Sequence, residues 1–363
     1  MRHRAILLLS AALLVACNPQ RWLPEGQVWL RKIELTEKGS VRTEDKYLEL
    51  IQLRTNIRVA GTYPYAALHQ RGSRNPESKR GRWLQKIGEP AAVLDTALAS
   101  ETVMQLERKL RQEGFFFATA QYRLQSGPRG SVLQFEMDRG QATKLGLVQP
   151  EIYAPAVLNQ LEFLQLGSLL VPGMRLSRDM LESERKRIAD YLKEHGFFTV
   201  GPDAVGFDLD TLGHPYRADG YWMVQDWTRD GEFGPEVLPH VPWHLGKVRL
   251  ADSLNYGLSE AGIRRLHLPQ SGSLYRASEM AQSQEWLRQL DAFQNQQWRL
   301  SPRNDSLDAE LVLQQAPRIG LLWEAEGTNT SGIYGLQTAL ELRDRNPFGG
   351  LEALSGKLAG GMG

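Results

Sequence analysis

Hydrophobic and polar positions alternate most strictly near the end of the chain. From Tyr334 to Arg343, the residues Tyr334, Leu336, Leu340 and Leu342 fall on one face, and Gly335, Gln337, Ala339, Glu341 and Arg343 fall on the other. Ahead of this stretch, Leu321, Trp323 and Ala325 alternate with Leu322, Glu324 and Glu326; after it, Leu354, Gly356 and Leu358 alternate with Ala353, Ser355 and Lys357. Strands of about ten residues with an apolar face set against a small, polar or charged one fit a transmembrane β-barrel. A soluble antiparallel sheet with one wet face carries the same alternation.

Upstream, the period changes from two to that of a helix and back, three times over. The first round predicts a strand over Gln27 to Leu35, a short helix capped by Thr43 and running through Leu53, and a second helix from Ser100 through Val103, Leu106 and Leu110 to Gly114. Phe115-Phe116-Phe117 then leads into a strand ending near Leu124, with Leu133, Phe135 and Met137 on its hairpin partner. The second round opens over Leu145 to Tyr153. Its helix starts at Ser177, carries Leu181, Ile188, Tyr191 and Leu192, and ends at Gly196 before Phe197-Phe198. The third opens over Leu245 to Leu250 and has a helix from about Ser278 through Trp286, Leu287 and Leu290. The aromatic junctions at Phe116, Phe198 and Phe293 lie about 80 to 95 residues apart, a spacing that suits small α+β modules. The apolar stripes on these helices serve as cores for their own sheets.

The N-terminus bears on compartment. Arg2, His3 and Arg4 precede an apolar run from Ala5 to Ala16, and Leu14-Val15-Ala16 leads into Cys17, the sole cysteine. This is the pattern of a signal peptide over residues 1–16 followed by a lipidated cysteine. Two or three acyl chains at about 0.8 kcal/mol per buried CH₂ make a stable anchor. One cysteine excludes a disulfide framework and a thiolate metal cluster. Lys plus Arg number 43 against 42 acids, so no global field points to nucleic acid. No later apolar run of about 18 residues predicts a membrane-crossing helix.

Two insertions break the rhythm. Ala66 to Gly88 holds Arg71, Arg74, Lys79, Arg80, Arg82 and Lys86 against Glu77 alone, which reads as a solvated arm or as a loop that binds headgroups or a partner. Thr228 to Val241 is rich in Gly and Pro and reads as a surface loop. The chain offers no enzyme motif. His240 and His244 have metal-like spacing, but Pro242 breaks the helix that would align them. Asp208-Leu-Asp210-Thr-Leu212-Gly213 lacks a ligand oxygen at Leu212, and Gly350 to Lys357 misses the phosphate-loop spacing and the following Ser/Thr. The expectation is no catalytic residue, no metal and no cofactor.

In order, these features resemble the BamA/TamA superfamily of outer-membrane assembly factors, and in particular its lipid-carrying TamA-like branch, TamL. The residues that carry the resemblance are the lipobox, LPEGQVWL (Leu23 to Leu30), IGEPAAVLD (Ile87 to Asp95), LESERKRIADYLKEHGFF (Leu181 to Phe198), EGTNTSG (Glu326 to Gly332) and RNPFGG (Arg345 to Gly350). RNPFGG is similar to a turn between early barrel strands, with Pro347 where the family has a hydrophobic residue. The resemblance implies an α+β chain of tandem POTRA (β-α-α-β-β) repeats followed by the first antiparallel strands of a truncated transmembrane β-barrel. Its divisions are signal peptide 1–16, lipidated tether 17–26, POTRA repeats 27–138, 139–228 and 242–317, and barrel start 318–363. Only 45 residues follow Arg318, room for three strands of a barrel that has about 16 in relatives.

The resemblance also implies a function: capture of unfolded outer-membrane or surface proteins by strand addition, and their delivery to a barrel seam. Ile319, Leu321, Trp323 and Ala325 would line the client-pairing edge, and Tyr334, Leu336, Leu340 and Leu342 would face lipid. The implied setting is the outer membrane of a Gram-negative bacterium, with the repeats in the periplasm beside a periplasm-spanning partner protein. Two alternatives are a secretion pore of the two-partner kind and a periplasmic lipoprotein scaffold with a soluble C-terminal sheet.

Overall fold

The computed structural model describes residues 19–38, 44–128, 130–211, 213–231, 234–251, 257–290, 292–303, 306–330 and 333–362. The signal peptide, Cys17 and Thr43 lie outside the described residues. The chain divides into two compact units. One takes the described residues up to Leu147 together with Leu170–Leu181 and Leu209–Asp219; the other takes Val148–Leu169, Glu182–Asp208 and the chain from Gly220.

The first unit contains a complete module. β1 (Leu30–Glu37) pairs parallel with β3 (Ser131–Asp138), and β2 (Thr119–Gln125) pairs antiparallel with β3, giving the order β1-β3-β2. β3 is central because its apolar positions alternate without a break: Leu133, Phe135 and Met137 are all buried. They meet Tyr47 of α1 (Asp45–Leu48) and Ala99, Leu106 and Leu110 of a long helix, which becomes α4 once two inserted helices are counted. Each such side chain contributes about 1.5–3 kcal/mol on burial.

Several boundaries differ from the sequence reading. α1 ends at Leu48 rather than Leu53. α4 (Thr96–Gln112) starts four residues before Ser100, because the Asp95 carboxylate accepts from the N–H groups of Ala97 and Leu98 and makes the stronger cap. β2 begins only at Thr119: Phe115 is buried, but Phe116 and Phe117 sit exposed in the turn before it. Residues 66–88 keep their cations exposed, but the stretch is helical rather than a loop. It forms a hairpin of α2 (Pro64–Ser73) and α3 (Lys79–Ile87), with Gly88 as the C-cap of α3.

The second module has strand order β4-β6-β5, from β4 (Lys144–Glu151), β5 (Val205–Asp210) and β6 (Arg217–Val224), with short helices α5 (Pro155–Leu158) and α6 (Leu161–Leu166) and long helix α7 (Arg178–Glu194). Ile188 and Leu192 of α7 are buried, as their spacing predicts. So is Glu184, which the periodicity did not mark. Its carboxylate accepts from Ser168 Oγ at 2.8 Å, Leu169 N–H at 3.0 Å and Arg187 Nε at 2.8 Å. Burial pushes this carboxyl up, but the hydrogen bonds from Arg187, Leu169 and Ser168 outweigh it and hold Glu184 below the usual carboxylate range.

A ribbon of β7 (Trp227–Gly231) and β8 (Gly234–Leu238) replaces the surface loop expected over Thr228 to Val241. Its polar residues pair across the strands, as with Arg229 and Glu236 at 2.8 Å. His240 follows, fully buried. Gln225 O accepts from its Nε2 at 2.8 Å, so Nδ1 accepts from the Thr199 hydroxyl at 2.6 Å. Both ring nitrogens are thus spent on structure.

The third module repeats the first. β9 (His244–Leu250) runs parallel to β11 (Ser306–Gln315), which pairs antiparallel with β10 (Phe293–Arg303). α8 (Glu260–Arg264) and α9 (Ala277–Gln289) complete it, Met280 and Leu287 of α9 packing with Leu307, Ala309, Leu311 and Leu313 of β11 in two adjoining clusters.

One device recurs where each module hands the chain to the next element. The residue before the module's aromatic junction offers its carbonyl to the N–H of a residue just ahead of the following strand. Gly114 accepts from Thr143 at 2.8 Å, Gly196 from Trp243 at 2.8 Å and Ala292 from Ala316 at 2.9 Å. Gly114 and Gly196 both sit at φ 96°, beyond the reach of ordinary L residues. A Cβ on Gly114 would meet Leu176 O at 2.1 Å, and one on Gly196 would meet Leu274 at 2.7 Å. The sequence marks these glycines as helix stops; the structure also uses them to let adjacent segments touch.

Candidate functional site

The candidate site is the last sheet, of β12 (Ile319–Thr330), β13 (Ile333–Arg345) and β14 (Ala353–Met362) in that order, all antiparallel. Side chains of directly paired residues share a face, so the register sorts the sheet without ambiguity. Trp323 pairs with Leu340 and Leu340 with Leu358; Leu321 pairs with Leu342 and Leu342 with Gly356. That face is largely apolar, with Thr338 and Asp344 of β13 its polar members, and its large side chains are uncovered. Trp323 is 68% exposed, Leu340 43% and Leu358 77%. The opposite face carries Glu324, Gln337, Ala339, Glu341, Lys357 and Ala359, with Lys357 Nζ 2.9 Å from Glu324. Leu322 is a large exposed apolar residue on this side.

Each residue assigned from sequence has a place here. Ile319, Leu321, Trp323 and Ala325 stand on the apolar face of β12, whose outer edge has no strand partner among the described residues. β12 runs four residues beyond Glu326, the last residue of its alternation noted in the sequence. Leu336, Leu340 and Leu342 are exposed on the same face of β13, and the Tyr334 side chain lies outside the described residues. Cys17 lies outside them too.

The sheet is tied to the third module at its base. Arg318 meets Asp344 at 3.0 Å, and Arg345 donates its backbone N–H to Arg318 O at 2.7 Å. The RNPFGG turn does more than reverse the chain. Asn346 adopts φ 66° and its carboxamide oxygen accepts from Leu351 N–H at 2.9 Å, so an asparagine fits where most residues would be strained. Gly349 O then accepts from Ser259 N–H at 2.9 Å and Ser259 Oγ at 3.1 Å, while Arg265 donates to Gly350 O and pairs with Glu352 at 3.1 Å. Sequence reasoning missed this docking. Ser259 caps α8, and nothing in the spacing links it to a turn 90 residues on.

No family model and no curated protein matches the chain. Solved structures similar to it include BamA from Haemophilus ducreyi lacking POTRA domains 1–3, at 12% identity and TM-score 0.42 over 60% of this chain and 37% of that one. Another is BamA POTRA3–5 from Haemophilus influenzae, at 13% identity and TM-score 0.40 over 81% of this chain and 99% of that one. A third is CdiB from Acinetobacter baumannii, at 12% identity and TM-score 0.31 over 61% and 39%. The chain thus spans little more than a third of the Haemophilus ducreyi structure.

By its own topology the fold is α+β: POTRA-like β-α-α-β-β modules in tandem, then antiparallel strands that form an open sheet among the described residues. Chemically, such a sheet can hold its apolar face in hydrocarbon, its polar face toward water, and its outer edges ready to accept another strand. No described helix is long and apolar enough to cross a membrane.

Proposed function

We propose that this chain belongs to an outer-membrane protein assembly factor of the BamA/TamA kind, anchored through a lipid on Cys17, with its modules in the periplasm and β12 to β14 opening a membrane barrel. The observation that carries this reading is the largely apolar face of β12, β13 and β14 set against a polar one and tied by its base to a module of periplasmic type. Client recognition is by backbone. An unfolded strand adds to an exposed sheet edge, where main-chain hydrogen bonds give affinity without demanding a sequence. β2 and β10 offer such edges, and the outer edge of β12 is the seam at which an incoming hairpin passes into lipid with its amides already paired. The reading implies no nucleotide; client folding and burial in lipid supply the favourable free energy.

The test is photo-crosslinking in living cells from probes at Leu321 and Trp323 of the full-length protein. Adducts with newly exported outer-membrane β-proteins are expected. Adducts with resident soluble periplasmic proteins alone contradict the assembly reading and favour a scaffold. Adducts confined to a single dedicated secreted partner favour a two-partner pore. The anchor is tested separately: Cys17→Ser should abolish palmitate incorporation, and unchanged labelling rejects the lipidated form.

A further inference from the structure

The α2–α3 hairpin is not explained by assembly or strand addition. Over Pro64 to Ile87 it carries six cations, Arg71, Arg74, Lys79, Arg80, Arg82 and Lys86, and one acid, Glu77, in a chain that otherwise holds 37 basic against 41 acidic residues. All six are exposed, and none takes part in an ion pair among the described residues. Elsewhere the surface cations of this chain commonly find a carboxylate, as Lys38 does with Asp138 and Arg249 with Glu310.

The hairpin is built, not loose. Ser78 caps α3, accepting from Gly81 N–H at 2.9 Å. The two helices close on glycine: a Cβ on Gly72 would meet Gly81 O at 2.6 Å, and one on Gly81 would meet Asn75 O at 2.0 Å. With that inner side sealed, α3 presents Lys79, Arg82, Trp83 and Lys86 at i, i+3, i+4 and i+7, one stripe of cations around an indole that is 59% exposed. Cations beside an exposed Trp are the composition of a surface that meets the headgroup layer of a bilayer.

The base of the hairpin lies beside the start of the mature chain. Tyr63 and Ala66 pack with Trp29, Trp22 and Leu23, and the buried Pro19 opens the 3₁₀ turn that carries Trp22. Only Asn18 lies between Pro19 and Cys17, a reach of about 7 Å. α2 then extends about 15 Å from that base. A bilayer holding the Cys17 lipid is therefore within reach of the whole cationic stripe.

We propose that the α2–α3 hairpin is a docking surface for anionic phospholipid headgroups, which lays the first module on the bilayer that holds its own anchor. The geometry of this proposal rests on the lipidated Cys17 read above, and its test does not. The full chain carrying Cys17→Ser, and so unlipidated, receives a single environment-sensitive fluorophore at Ile87→Cys, leaving Trp83 in place. It is mixed with vesicles of phosphatidylglycerol and phosphatidylethanolamine, or of phosphatidylcholine alone. The probe should shift to the blue on the anionic vesicles only, and the shift should weaken as salt is raised. Lys79→Glu with Arg82→Glu should lower the apparent partitioning on the order of tenfold or more, and the milder Lys79→Gln with Arg82→Gln should lower it less, which guards against a folding defect. Equal shifts on both vesicle types, or no loss on charge reversal, overturn the proposal. A shift with the soluble polyanion heparin but none with anionic vesicles overturns it in favour of an acidic macromolecule. Since Cys17 is absent throughout, a failure here is distinct from a failure of palmitate labelling.

Discussion

β11 and β13 are built alike. Each is the centre of a three-stranded sheet, paired on both edges, and each alternates apolar and polar residues, with one break at Val312 in β11 and one at Thr338 in β13. Yet Leu307, Ala309, Leu311 and Leu313 of β11 are buried, whereas Leu336, Leu340 and Leu342 of β13 are exposed. The difference is cover. Met280 and Leu287 of α9 close over β11, and no helix lies over the apolar face of β13 among the described residues. A period of two therefore specifies a sheet and its faces; what lies against the apolar face is decided elsewhere in the chain. An uncovered apolar face of this extent is costly in water, and in lipid it is the stable arrangement.

The comparison can be broken or sharpened by substitution, beginning where cover is most complete. Glu184→Ala leaves the Arg187 guanidinium without its buried carboxylate and should cost about 3–5 kcal/mol, read as a loss in the chain's unfolding midpoint. Because the native Glu184 carboxyl is held below its unfolded value, its contribution is complete above the unfolded pKa and is lost as pH falls through the folded one. Acid titration of the Glu184→Gln variant should accordingly show a weaker stability loss than the parent. Leu311→Ala opens a cavity under α9 and should cost about 2–5 kcal/mol, whereas Leu340→Ala opens none. Equal costs at the two positions would mean that β13 is covered after all.

Leu340→Arg in the full-length protein should cost about 2–4 kcal/mol near the bilayer midplane, read as loss of heat-modifiable barrel formation, while Gln337→Arg on the opposite face should cost little. The smallest effect is expected at Asp308, whose carboxylate accepts from Lys247 N–H at 2.8 Å where β9 bulges against β11. Asp308→Asn should cost about 1 kcal/mol in the same melt.

Much of this was legible in the chain. Leu133, Phe135 and Met137, or Ile188 and Leu192, announce their faces because burial and periodicity agree there. Gly114 and Gly196 announce helix ends because only a residue without Cβ reaches their φ. The α2–α3 hairpin was not legible, since its close packing is made by Gly72 and Gly81, which read locally as breakers. Its charges read as solvation for the same reason. Glu184 was hidden because its partners, Ser168, Leu169 and Arg187, come from a loop and from its own helix. The role of RNPFGG was half legible: Asn346 marks the turn, but the Ser259 and Arg265 contacts that hold it are long-range. On the candidate site, alternation alone placed Leu336, Leu340 and Leu342 on one face, and only the register joined them to Trp323 and Leu358.

The central claim is that the apolar face of β12 to β14 meets lipid. A lipid-phase photoprobe reaction at Leu340 of the full-length protein in native membranes tests it most directly, with Gln337 as the paired control. The account predicts lipid adducts at Leu340 and none at Gln337. Adducts at Leu340 to protein alone would contradict it, and would mean that this face is covered by another part of a soluble fold.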